Sequence, residues 1–567
     1  MDITVNPWSA SAAFPLLTTL TLVPLTTMIA ILFSRSSTVA LRFGFAGALL
    51  TVALSVYLLT VFDSNSPGIH LAEQVHFAGL SYHVGVDGTS VLFIPLTAIL
   101  TLLVLIYTLI TRHVTERLYI ACLLGYETVL IGAFVAMNVM QFWFWCVLEL
   151  IPVVLLTIHA GTGQNRRWVI VLLLQYWVSG LLMTLAGFLL LAFGLIDAEH
   201  ALTFDWLTLK QNNAYLHDEV LIFVLLFFGF AIRMPIFPFH GWLPVLAEQG
   251  TVASAVIFLV GLKLGIYAVI RFILPMVPGV AEQWSGFVVT LGLISIFYGA
   301  LLALMQINIR RLLAFAVISQ MGMLVIGAFC FNVTGLEGSI LLSVAYGLAT
   351  AGMLFSVGLI YERTRTAFLP RLGGLFDTNA TLALLFLISA LSTMVMPGTP
   401  GFDAAHLLVE GIIEEDGWML AVAILVGNVM SAAFLLWAFQ RVFMANPKRV
   451  EQPYSCSHHP VWTERFIASV ICLLLIGTGF YTTPWLEYID QDAVAIEEHY
   501  PMHGAQIPLS PHFSKGEVSP SPQPPLFKEG SKPSLSPPFP KRDVRTRLWK
   551  RGAGGISDTD TKDGSHE

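Results

Sequence analysis

Arg233-Met-Pro-Ile-Phe-Pro-Phe-His-Gly-Trp-Leu-Pro, ending at Pro244, interrupts an otherwise apolar block that begins near residue 219. Proline removes a backbone donor and clashes with the preceding turn, so a helix must open here. At membrane depth, freed carbonyls are tolerated only where they face protein or a wet cavity. A second run of this kind, Met396-Pro-Gly-Thr-Pro-Gly-Phe, interrupts the block from 379 to 412. Counted along the chain, the two breaks fall in spans seven and twelve, five apart. Two inverted five-helix repeats of a transporter have that spacing; two unrelated proline kinks are the alternative.

Working outward, the composition supports membrane spans. Of 567 residues, 56% are hydrophobic and only 11% charged, far from the roughly quarter-charged make-up of soluble domains. The apolar residues come in blocks of the ~20 residues that a helix needs to cross the hydrocarbon core. Fourteen spans are expected, near 13–33, 40–62, 90–111, 117–137, 139–159, 168–196, 219–243, 251–274, 286–306, 311–332, 336–361, 379–412, 418–444 and 463–486. The expected fold is therefore an all-α polytopic membrane protein. The block Ala13 to Phe33 is too long for a signal-peptide core and follows Asp2 rather than a basic stretch, so it is expected to remain as the first span.

Basic residues set the orientation. Arg35, Arg112, Arg117, Arg166, Arg167, Arg310, Arg311, Arg363, Arg365, Arg371, Arg441, Lys448 and Arg449 all fall in alternate loops, whereas the intervening loops hold almost none except Lys210. An even number of spans with both termini on the non-cytoplasmic side satisfies this pattern. The segment from Asp63 to Ser90 then lies outside and reads as a short hairpin cap. Residues 1–490 are expected to form the transmembrane domain. Residues 491–567, with Ser519-Pro-Ser-Pro-Gln-Pro-Pro and the basic run from Lys541 to Arg551, read as a disordered tail. The five cysteines are scattered without Cys-x-x-Cys, so neither an iron–sulfur cluster nor a zinc site assembles locally. No Gly-rich nucleotide fingerprint opens a helix after a strand. No metal is expected, and any electron transfer in which the chain takes part would have to happen in partner subunits.

Charged groups inside spans carry the sharpest signal, since each costs about 2.5–3.5 kcal/mol at a helix centre unless paired or hydrated. Lys263 lies in the middle of Leu259-Val-Gly-Leu-Lys-Leu-Gly-Ile-Tyr, Arg233 precedes the first break, Glu149 lies in Cys146-Val-Leu-Glu-Leu-Ile-Pro, and Glu127 lies in Gly125-Tyr-Glu-Thr. A carboxylate paired with a basic residue beside a buried lysine can switch that lysine between loaded and empty. The alternative is a static pair of Glu149 with Arg233 that locks helix contacts. His240 is either a relay near neutral pH or a cap on the broken helix.

Pro235-Ile-Phe-Pro-Phe-His-Gly-Trp-Leu-Pro, Leu262-Lys-Leu-Gly-Ile-Tyr, Met305-Gln-Ile-Asn-Ile-Arg-Arg-Leu-Leu-Ala, Ser319-Gln-Met-Gly and Met396-Pro-Gly-Thr-Pro-Gly-Phe together resemble the antiporter-like subunits shared by respiratory complex I, Mrp-type cation antiporters and membrane-bound hydrogenases. Gly85-Val-Asp-Gly-Thr-Ser and Leu148-Glu-Leu-Ile-Pro are most similar to chain M (mitochondrial chain 4) of complex I. The resemblance covers roughly residues 80 to 445.

It implies two half-channels joined by buried polar groups and driven by quinone reduction elsewhere. FMN, iron–sulfur clusters and quinone would sit in partner subunits, and this chain would have no redox centre. Position by position, the family's lysine of the first broken helix falls on Arg233, a guanidinium that does not readily release a proton. The glutamate five residues before the span-five proline falls on Val147, leaving Glu149 two residues along, on a different helix face. Histidines of spans ten and eleven fall on Gln320 and Tyr346. The charged residue of the second broken helix falls on Ala405, flanked by Asp403 and His406. Lys263 stands where the family has its lysine.

The resemblance implies a proton-translocating membrane-arm subunit of an NADH–quinone oxidoreductase, in a bacterial inner membrane or a thylakoid membrane, surrounded by other membrane subunits. Two other readings stand beside it. One is a paralogue specialised for inorganic-carbon uptake or cation exchange, which the substitutions at Val147, Gln320, Tyr346 and Ala405 suit. The other is a non-conducting structural subunit.

Overall fold

The computed structural model describes residues 4–500 apart from 78–79, 111–115, 195–201, 214–215, 217, 251 and 447–460. The chain is a helical bundle spanning the membrane. Eleven described helices are long and apolar enough to cross a bilayer, and Phe93–Thr108 and Ala380–Thr393 are shorter apolar helices. That is fewer than the fourteen expected, because the remaining spans are short or interrupted. Phe93–Thr108 has only 16 residues. The block expected at 219–243 consists of Glu219–Arg233 and Trp242–Gln249, and that at 379–412 of Ala380–Thr393 and Pro400–Glu415.

Burial separates centre from rim. The span Ala255–Ile273 is wholly buried, and Ile309–Ala328 and Val333–Thr364 are 94% buried, whereas Leu16–Phe33, Ser37–Val61, Arg166–Gly194, Trp418–Met444 and Trp462–Phe480 are 33% buried and present apolar side chains outward. Helix starts follow local chemistry. Asn138, Asn308 and Asn332 each place a side-chain oxygen on backbone N–H groups of the first turn (Asn138 to Met140 at 2.9 Å, Asn308 to Arg310 at 3.0 Å, Asn332 to Gly335 at 2.9 Å). Gly292 and Gly322 let Pro278–Leu304 lie against Ile309–Ala328, since a Cβ at Gly292 would sit 2.9 Å from the Gly322 carbonyl oxygen.

Outside the bundle, strand β2 (Gly68–Phe77) pairs antiparallel with β3 (Leu80–Val86), as the hairpin reading anticipated. Strand β1 (Thr4–Pro7) adds in parallel to β2 and makes the cap a three-stranded sheet. Local pattern gave no sign of that strand, because its pairing partner lies some sixty residues away.

The expected domain boundary at 490 falls short. Asp490–Glu497 is a helix that buries Asp492, Ala493 and Ile496. Tyr500 stacks on Phe331 at 4.2 Å and donates to the Leu274 carbonyl at 2.7 Å. The folded unit therefore runs to at least Tyr500, held by these buried contacts. The proline-rich and basic tail lies outside the described residues.

Candidate proton-carrying site

Both broken helices leave backbone groups to be satisfied. At the first break the Trp242 indole donates to the Ile232 carbonyl at 3.0 Å, and the Phe237 N–H donates to Ser295 Oγ at 2.9 Å. His240 does not cap this helix. Its ring is buried, stacked on Phe237 and edge-on to Tyr298 at 4.9 Å, and its Nδ1 has no hydrogen-bond partner.

Ile232 is the last residue but one of the helix Glu219–Arg233. The Arg233 guanidinium is buried, lies over the Trp177 ring and is ion-paired with the fully buried Glu149. The other carboxylate oxygen of Glu149 accepts from Tyr126 Oη at 2.7 Å. The sequence offered Glu149 as a partner for Arg233, although it stands two residues from the family's glutamate position, which falls on Val147. Glu149 keeps right-handed helical dihedrals (φ −59°, ψ −29°) between Val139–Leu148 and Leu150–Ala160, three residues before Pro152.

The helix Val252–Ala268 closes against this pair. A Cβ at Gly261 would lie 2.6 Å from Glu149 Oε1, so only glycine allows so close an approach. Two residues further on, Lys263 is 2% exposed, with its ammonium 5.9 Å from the centre of the Tyr346 ring. Among the described residues no carboxylate forms an ion pair with it. Beyond Lys263 the line turns neutral: Tyr346 Oη donates to Met323 Sδ at 3.3 Å, and Thr350 Oγ1 donates to Gln320 Oε1 at 3.3 Å, leaving Gln320 Nε2 without a partner. A cavity of about 60 Å³ runs alongside, lined by Tyr126, Thr157, Thr350 and Arg310 among apolar side chains. It has room for about two water molecules.

Glu127, next to Tyr126, is fully buried, and neither of its carboxylate oxygens has a hydrogen-bond partner. Asp403 and His406 stand apart from the buried line. Asp403 is half-buried and accepts from the Thr482 hydroxyl, whereas the His406 side chain is 69% exposed and 3.8 Å from Glu410. Their helix turns Ala404, Ala405 and Leu408 inward instead. The residues missed from the sequence are Tyr126, Thr350 and Gly261. Tyr126 adjoins the flagged Glu127, but nothing local to it points to Glu149, 23 residues on.

Residues 136–431 match the family described as NADH:quinone oxidoreductase/Mrp antiporter, transmembrane. The chain belongs to that family. It is similar to NADH-quinone oxidoreductase subunit M of Rickettsia typhi, 30% identical over 408 residues, covering 71% of this chain and 81% of that one. Among solved structures, it resembles a chain of respiratory complex I from Thermus thermophilus, with a TM-score of 0.74 and 27% identity, covering 85% of this chain and 99% of that one. A chain of the Mrp complex from Dietzia sp. DQ12-45-1b has the same fold, with a TM-score of 0.76 and 19% identity, covering 85% and 98%.

Proposed function

We propose that this chain is a proton-translocating membrane-arm subunit of an NADH–quinone oxidoreductase-type complex, integral to the membrane and packed among other membrane subunits. The observation that carries the reading is Lys263, a primary amine at the centre of the bundle, on the helix that closes over the Glu149–Arg233–Tyr126 cluster. Family membership and the likeness to subunit M support it over carbon uptake, cation exchange or a purely structural role.

The residues divide the work by their chemistry. Arg233 stays charged and acts as a fixed counter-charge. Glu149 is the switch: paired with Arg233 its charge is neutralised, and turned toward the lysine helix it stabilises the ammonium of Lys263. Tyr126 and the waters of the 60 Å³ cavity supply the proton from the side on which Arg310 lies. FMN, iron–sulfur clusters and quinone belong to partner subunits, which drive the switch by moving charge next to the pair. The basic residues in alternate loops support an orientation with Arg310 on the cytoplasmic side and both termini on the other.

The test is proton flux through the assembled complex in sealed vesicles, parent against Lys263→Ala at equal abundance. A loss of at least tenfold in the flux attributable to this subunit, with the complex intact, is expected. Flux equal to the parent's overturns the reading.

A further inference from the structure

Among the described residues the polar groups beyond Lys263, Tyr346, Thr350 and Gln320, carry no charge, and the second broken helix turns Ala404 and Ala405 inward. Along its own helix, Lys263 leads elsewhere. Tyr267 stands four residues on, so both side chains share one helix face about 6 Å apart along the axis. The next turn widens to a π-helix, Val269–Ile273, a feature frequent at functional sites. It aims Arg271 into a cavity of about 340 Å³ bounded by the hairpin cap, the helix Trp206–Gln211 and the C-terminal helix Asp490–Glu497. The volume holds on the order of ten waters.

Of the three carboxylates that line this cavity, Asp87, Asp492 and Glu498, the first two are held in opposite ways. Asp87 is compensated: Arg271 is ion-paired with it and Thr89 Oγ1 donates to it at 2.7 Å. Arg271 is itself buried over the Trp206 ring at 4.0 Å, and its Nε has no protein partner. Asp492 is held differently, by the backbone N–H groups of Gly88 at 2.5 Å and Gly68 at 3.2 Å, without a cation in ion-pair contact among the described residues.

We propose that this cavity is a second proton site, with Asp492 as the acceptor, and that Lys263 exchanges protons with it past Tyr267. The inference rests on the function proposed above. The ammonium of Lys263 gives its proton to Tyr267 Oη while that hydroxyl, turning from the Phe134 carbonyl, passes its own to a water on the side of the cavity; Tyr267 stands one turn before Arg271, which lines the cavity, and does not line it itself. The water's proton goes on to the Asp492 carboxylate, forming the acid, which later releases it to the aqueous side of the cap. Tyr267 Oη, now donating to the Phe134 carbonyl at 3.1 Å, is the one hydroxyl on that helix between lysine and cavity. A hydroxyl both donates and accepts, as such a relay requires.

The charged groups facing the cavity make exchange feasible near neutrality. Burial, and then the negative charge of Asp87, push Asp492 up to about 7. Burial, and then Arg271, push Lys210 down to about 8, and burial lowers His499; Glu498 lines the same space.

The experiment measures proton flux in sealed vesicles holding the assembled complex, with the pH of the compartment facing the cap varied from about 6 to 8. Tyr267→Phe keeps the ring packing and is expected to lose as much flux as Lys263→Ala. Asp492→Asn keeps the side-chain volume and is expected to flatten the dependence on that compartment's pH while quinone reduction continues. Parental flux and an unaltered pH profile in both variants, with Lys263→Ala inactive, overturn this inference and leave the proposed function standing. Parental flux in Lys263→Ala instead overturns the function itself. If Tyr267→Phe does not assemble, the pH profile of Asp492→Asn decides alone.

Discussion

The two broken helices solve one backbone problem and differ in everything else. At the first, the Trp242 indole takes the freed carbonyl of Ile232; at the second, the Asn428 amide takes that of Met394 at 3.1 Å. Around the first, Glu149, Arg233, Tyr126 and Lys263 are all buried together. Around the second, alanines face inward, and Asp403 and His406 lie toward the surface. A proline break is thus a solution to local sterics that can persist with or without charge beside it, and the repeat architecture does not by itself imply two working half-channels.

The largest effect that sharpens this contrast is expected from Glu149→Ala. It strands the Arg233 guanidinium in the core, at a cost of about 3–5 kcal/mol. The amount of assembled complex recovered from membranes should fall steeply, and Glu149→Gln combined with Arg233→Met should recover most of it. If Glu149→Ala assembles like the parent, the pair is not the anchor of the first half. Trp242→Phe and Asn428→Ala should come next, and should match each other, because each leaves one buried carbonyl unsatisfied at about 1–3 kcal/mol. Thermal denaturation of the purified complex checks this; a large effect at one break only would show that the two are not equivalent backbone solutions. The smallest effects belong to Asp403→Asn and His406→Ala, each within about 0.5 kcal/mol of the parent and with unchanged proton flux. Loss of flux in either would place the second break back in the conducting path and undo the comparison.

The site was half legible in the chain. Lys263 could be found because a charge in the middle of an apolar span is costly and therefore conspicuous. Arg233 and the breaks were legible through proline. Glu149 was visible as a charge and as a partner for Arg233, but Tyr126, which holds its other oxygen, was not. Asp403 and His406 drew notice by flanking Ala405, yet a residue beside an inward position on a helix is turned about 100° away from it. The cluster of Asp87, Arg271, Lys210 and Asp492 went unseen, since its members come from four segments spread over some four hundred residues.

What the sequence determined by itself is whatever follows from local free energies: apolar blocks long enough to cross a bilayer, helices that must open at proline, and one lysine too deep to reach water. The tertiary structure decided what gathers around the buried charges and which distant ones meet, as Asp87 meets Arg271. Tyr126 joins Glu149, β1 joins the hairpin, and Asp490–Glu497 docks on the cap, each between segments separated along the chain. Such pairings depend on how whole helices pack and on which buried groups thereby lose water, and no short window of sequence encodes that.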